Sequence, residues 1–148
     1  MKGDYADVAT DKMLVDAMTT RMVLKPETLD VIVATNLHGD ILSDLAAALS
    51  GSLGIAPTAN LNPGRDAPSM FEPIHGAAFD ITGKGVANPI GALWTAVMML
   101  EHLGEAGPAA RLMAAIEAVT GAVLPADLGG SATTAEVTDA VCSRLIGG

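Results

Sequence analysis

Apolar residues recur at helical spacing between Asp11 and Met22, where Met13, Leu14, Ala17, Met18 and Met22 share a face with Arg21 until Pro26 stops the pattern. Leu29 to Ala34 breaks that period. It is a β-branched apolar run and predicts a buried strand. Helical spacing returns from Gly39 to Leu49, and Gly51 to Pro57 is a Gly-punctuated apolar segment compatible with a short strand. From Asn60 to Asn88, Pro and Gly are frequent and no period is sustained, which predicts a long loop of functional character. Pro89 is then expected in the first turn of a helix whose apolar side is Ala92, Leu93, Ala96, Val97, Met99, Leu100 and Leu103, ended by Gly104. Pro108 opens a further helix to about Thr120. Thr133-Thr134-Ala135-Glu136 has capping-box spacing ahead of a last helix reaching about Leu145.

Composition adds limits to this outline. The 148 residues suffice for one domain with a core, and no linker composition marks a second. Half of the residues are hydrophobic and 17% are charged, below the quarter usual for soluble domains. Mean hydropathy is +0.42, which implies that other protein covers part of the surface. The apolar runs are interrupted well short of the roughly 20 residues of a membrane span, and no basic segment precedes an apolar leader, so the cytoplasm is the expected compartment. Net charge is −9, and Lys2, Lys12, Arg21, Lys25, Arg65, Lys84, Arg111 and Arg144 are scattered, so neither nucleic acid nor a membrane is an expected partner. The lone Cys142 has no internal disulfide partner and is expected to be a small core residue. Met18, Met98, Met99 and Met113 read as packing residues.

Two segments carry candidate chemistry. In Asn36-Leu37-His38-Gly39-Asp40-Ile41-Leu42-Ser43-Asp44, Asp40 and Asp44 are four residues apart and would stack on one helical face. Like charges at that spacing repel, so a cation between them is one explanation; complementing the helix dipole and capping free N–H groups is another. The second segment runs from Glu72-Pro73-Ile74-His75-Gly76 through Ala77-Ala78-Phe79-Asp80-Ile81 to Asn88-Pro89. It contains no Gly-x-Gly-x-x-Gly fingerprint and no P-loop.

Taken together, and in this order, the two segments resemble the isocitrate/isopropylmalate dehydrogenase family of NAD(P)- and metal-dependent decarboxylating dehydrogenases. The resemblance extends from Val15-Asp16-Ala17-Met18 to Asp127-Leu128-Gly129-Gly130 and the last helix, and Asn60 to Phe71 looks most like the tartrate dehydrogenase/D-malate dehydrogenase branch. It implies an α/β, isopropylmalate dehydrogenase-like fold of which this chain is the C-terminal part, with metal-site helices in 11–50, an NAD loop in 60–88 and C-terminal helices in 89–146. It also implies a homodimer, in which Asp16 joins Asp40 and Asp44 of the other subunit around Mg²⁺ or Mn²⁺, a hard cation suited to carboxylates. NAD would lie on Glu72, His75, Gly76, Ala77, Ala78, Asp80, Ile81 and Asn88. There Asp80 would accept the adenosine ribose hydroxyls and repel a 2′-phosphate, favouring NAD over NADP.

In two places the chain departs from the family pattern. Ala77-Ala78-Phe79-Asp80 replaces the usual Ser-Ala-Pro-Asp, losing a hydroxyl and a rigid proline, and His38 stands where an aromatic is frequent. His102, near a helix end, reads as a dipole-compensating residue. The family's general base and acid, a Lys and a Tyr, and its substrate-binding Arg residues belong to segments upstream of the Asp16 motif. None of Lys2, Lys12, Lys25 or Lys84 lies in the matching motif. The expectation is therefore an incomplete decarboxylating dehydrogenase of a malate- or tartrate-like hydroxy acid, or else a noncatalytic NAD- and metal-binding or dimerisation module.

Overall fold

The protein is described by a computed structural model covering residues 3–147; Met1, Gly148 and Lys2, one of the scattered cations, lie outside the described residues. Contacts divide the chain into two units, Met1–Ala46 and Ala47–Gly148, with the division falling inside a helix.

In the first unit, helix α1 spans Val15–Leu24, later than the apolar spacing alone predicts, with Asp16 in its first turn and Arg21 in its last. Met22 is its buried residue. Arg21 ties the helix to its flanks: Nε donates to Thr28 Oγ1 at 2.8 Å, and Nη1 meets the Asp11 carboxylate at 3.1 Å. The expected strand at Leu29 to Ala34 does not form. Those residues have no regular structure, and Val31 and Val33 are 81% and 89% exposed. A strand is stable only where neighbouring backbone takes up its N–H and C=O groups, and no described residue pairs with this run. Helix α2, Asn36–Leu49, begins three residues earlier than predicted and carries both Asp40 and Asp44.

In the second unit, Leu53–Ile55 forms a turn of 3₁₀ helix where a short strand was expected, and the strand follows it. Strand β1, Pro57–Asn60, pairs antiparallel with β2, Met70–Pro73, in a register of Pro57 opposite Pro73 and Asn60 opposite Met70. The predicted loop therefore contains a strand, legible only once its partner is known. Helix α3, Ile90–Leu103, follows Pro89, which sits at the capping position rather than inside the first turn. It ends at Gly104, whose φ of 86° is open to glycine at little cost. Thr95 anchors α3 to the strand pair by donating to Glu72 O at 3.0 Å.

Helix α4, Ala106–Thr120, starts just before Pro108, and α5 spans Thr134–Gly147. The predicted capping box is present: Thr133 N donates to Glu136 Oε2 at 2.8 Å, and Glu136 N donates to Thr133 Oγ1 at 3.2 Å. Ile90 and Val97 of α3, Ala115, Ile116 and Val119 of α4, and Val137 and Val141 of α5 form the core. Burying each Val or Ile among them contributes roughly 1.5–3 kcal/mol. Met113 packs against this core as its spacing implies, but Cys142 is exposed, because the buried stripe of α5 runs through its neighbour Val141. Among the described residues, no helix is long and apolar enough to cross a membrane.

Candidate functional site

The second unit contains a groove of about 810 Å³, within the range of small-molecule sites. One wall is the chain from His75 to Asn88, and the others are the turn Ser52-Leu53-Gly54, Asp127, and Thr134 at the start of α5. The loop is shaped by a tight turn. Ala78 adopts a left-handed φ of 43°, a conformation costing a non-glycine residue roughly 1–2 kcal/mol, and Ile81 N donates to Ala78 O at 3.0 Å to close it. Thr82 Oγ1 reinforces the turn by donating to the carbonyls of Ala77 and Ala78, both at 3.3 Å. The far end of the loop is fastened to α5, where Thr134 N donates to Gly85 O at 2.8 Å and Thr134 Oγ1 to Ala87 O at 2.5 Å.

At the base of the groove, one carboxylate oxygen gathers three segments. Asp127 Oδ2 accepts from the Ser52 hydroxyl and, at 3.0 Å, from Asn88 Nδ2. Ser52 Oγ also accepts from Gly54 N at 2.9 Å, and Asn88 Oδ1 accepts from Ile90 N at 3.0 Å, capping α3. Gly54 is required here by space, since a Cβ on it would stand 2.5 Å from Asp127 Oδ2 and 2.8 Å from Asn88 Cβ.

The groove collects His75, Gly76, Ala77, Ala78, Ile81 and Asn88 from the expected NAD set. Asp80 is exposed and outside its lining, while Glu72 lies on β2 opposite Thr58 and is likewise outside. His75 Nδ1 lies 3.1 Å from Gly76 O; as a carbonyl only accepts, Nδ1 carries the proton, and in the neutral ring Nε2 remains an acceptor. Asn88 is 7% exposed, with both ends of its carboxamide engaged internally, so it acts first as a brace of the wall. Ser52, Gly54, Asp127 and Thr134 receive no role from the sequence. The motif Asp127-Leu128-Gly129-Gly130 and the capping box containing Thr134 were the available signals.

Asp40 and Asp44 are both exposed on α2, one turn apart, as their spacing requires. Asp16 is exposed on α1, where its Oδ1 accepts from Ala17 N at 2.8 Å. Among the described residues, no three His, Cys, Asp or Glu side chains come together as a metal site. The Asp40/Asp44 pair fits part of the oxygen donor set of a hard cation, and ligands from elsewhere would complete it. His38 is half-buried in the first turn of α2 and receives no role. His102, in the last turn of α3, additionally lies 3.2 Å from Ser69 Oγ and against the Phe71 ring.

The strand pair with α3 packed on it, α4 against α3 and α5 against α4 form a mixed helix-and-sheet arrangement shared with solved decarboxylating dehydrogenases. The isocitrate dehydrogenase of Methylococcus capsulatus is superposable with a TM-score of 0.88 at 42% identity, over 97% of this chain and 42% of that one. A beta-decarboxylating dehydrogenase from Thermococcus kodakarensis gives 0.79 at 37% identity, again over 97% and 42%. The family model described as isocitrate/isopropylmalate dehydrogenase matches residues 1–141, and the chain belongs to that family. It is 69% identical to a probable tartrate dehydrogenase/decarboxylase of Agrobacterium vitis, over 97% of this chain and 40% of the relative. It is 47% identical to the D-malate dehydrogenase [decarboxylating] of Escherichia coli (strain K12), over 99% and 42%. The chain thus spans about two fifths of the length of these curated relatives.

Proposed function

We propose that this chain supplies the adenosine half of an NAD site and two carboxylates of a Mg²⁺ or Mn²⁺ site to a decarboxylating dehydrogenase of a malate- or tartrate-like 2-hydroxy acid. The groove carries the reading. Its size and its glycine-rich, apolar wall suit a nucleoside, and it brings together His75, Gly76, Ala77, Ala78 and Ile81 from one loop. That loop resembles the family's cofactor segment, and the relatives named as tartrate and D-malate enzymes support the substrate class.

Each group has a definite task in this reading. The 76–78 backbone and Ile81 would hold the adenosine, Nε2 of His75 would accept a hydrogen bond, and Asp80 would meet the ribose hydroxyls. Because Asp80 stands off the groove lining, it would engage only a ribose that projects beyond the wall. Asp40 and Asp44 would hold the cation, which, when bound, polarises the substrate oxygens and stabilises the developing enolate. Asp16 would serve the site of a second subunit of a homodimer. Exposed Leu37 and Ile41 on α2, 67% and 49% accessible, favour such an assembly, and they equally support the alternative of a noncatalytic dimerisation module.

Calorimetry of NAD with the full chain tests the groove. Saturable binding that the groove substitution Gly76→Val removes is expected, and the absence of binding by folded protein overturns the proposal. NADH formation with D-malate or tartrate and Mn²⁺ separates the readings: turnover supports the dehydrogenase, and NAD binding without turnover favours the noncatalytic module.

A further inference from the structure

We infer that Asp127 is the positioning residue of the groove, holding the Asn88 carboxamide and the Ser52 hydroxyl on one oxygen and so fixing the walls that receive the nucleotide. The inference rests on the NAD reading above for its functional consequence, but the clamp itself stands on geometry. Ser52 and Asn88 are 8% and 7% exposed, so their polar atoms need protein partners, and Asp127 provides one for both. The partners lie 75 and 39 residues away in sequence, in the turn before β1 and at the start of α3. A single carboxylate therefore joins three segments that each line the groove.

The orientation of Asn88 follows from its neighbours. Ile90 N–H is a donor and must face Oδ1; this turns Nδ2 toward Asp127, which as a carboxylate can only accept. Ser52 is oriented likewise, because Gly54 N–H donates to its oxygen and leaves its hydroxyl proton for Asp127. Among the described residues, no cation pairs with Asp127, so its charge strengthens these two hydrogen bonds. The missing Cβ of Gly54 is what lets the carboxylate sit there. Loss of the carboxylate would leave the Asn88 amide held at one end only.

The test uses the full chain and two independent readouts. In nitrogen-15 NMR, Asp127→Ala should move the Asn88 side-chain NH₂ signals and speed their hydrogen exchange. Asp127→Asn keeps an accepting oxygen and should move them less, and Ser52→Ala should leave them near their original positions. By calorimetry, NAD affinity should fall roughly 10- to 100-fold in Asp127→Ala, the range expected for a lost hydrogen bond to a charged group, and partly recover in Asp127→Asn. An unmoved Asn88 signal overturns the clamp. A lowered melting temperature with unchanged NAD affinity in the folded protein overturns the positioning role and leaves a structural one. If wild type does not bind NAD, the nucleotide reading fails, while the Asn88 signals still decide the clamp. If Asp127→Ala does not fold, the graded shifts in Asp127→Asn and Ser52→Ala decide it.

Discussion

Asn88 Nδ2 lies 3.0 Å from Asp127 Oδ2, although 39 residues separate them. The contact links the end of the groove-lining loop to the turn Ala126–Leu128, which is itself closed by Gly130 N donating to Pro125 O at 3.0 Å. Pro125 is fully buried and the carboxylate two residues on is exposed, so the turn delivers Asp127 to the groove from a fixed base.

Close packing around this contact makes Gly54 intolerant of a side chain. Gly54→Ala would place a methyl 2.5 Å from Asp127 Oδ2 and 2.8 Å from Asn88 Cβ, so the exposed carboxylate must swing away from Ser52 and the Asn88 segment must move as well. Such overpacking costs about 1–3 kcal/mol, which urea unfolding should register as a lower midpoint at unchanged slope. NAD affinity, measured on the folded variant, should fall as well.

Acid should loosen the start of α5. Hydrogen bonds from Thr133 N–H and then from its hydroxyl hold the Glu136 carboxyl below its ordinary value, and the Asn62 amide followed by backbone does the same for Asp66. A carboxylate with a depressed folded pKa contributes stability that is present above its unfolded value and is lost as pH falls through the folded one. Stability should therefore decline below the usual carboxylate range, and Glu136→Gln should flatten part of that decline in acid-unfolding curves. Thr133→Ala removes the capping hydroxyl and should cost about 1 kcal/mol at neutral pH.

On the proposed metal reading, Asp40→Ala and Asp44→Ala should each abolish Mn²⁺ binding followed by calorimetry. Both side chains are exposed on a helix that favours alanine, so stability should change by no more than about 0.5 kcal/mol. An unchanged titration in both variants would remove the pair from any metal site.

Asp80→Lys exchanges a group that repels a 2′-phosphate for one that attracts it. The ratio of NAD to NADP affinity should shift toward NADP by roughly tenfold or more, and an unaltered ratio would show that Asp80, exposed and off the groove lining, does not read the ribose.

Helices α3, α4 and α5 were legible because their signals are local: an apolar stripe every three to four residues, a terminal glycine and a four-residue capping box all act within a turn or two of backbone. The groove loop from His75 to Asn88 and the carboxylate spacing of Asp40 and Asp44 were equally visible, being contiguous motifs. Tertiary structure alone decided the rest. Leu29 to Ala34 has the composition of a strand, yet stays irregular without a pairing partner among the described residues. β2 lay hidden in a loop-like segment because its register belongs to β1, and Cys142 faces out because Val141 occupies the buried side of α5. Ser52, Gly54 and Asp127 form part of a site only because the chain returns to bring them against Asn88. Hydrogen bonds across 75 and 39 residues depend on the whole packing arrangement, and no window of sequence contains both partners.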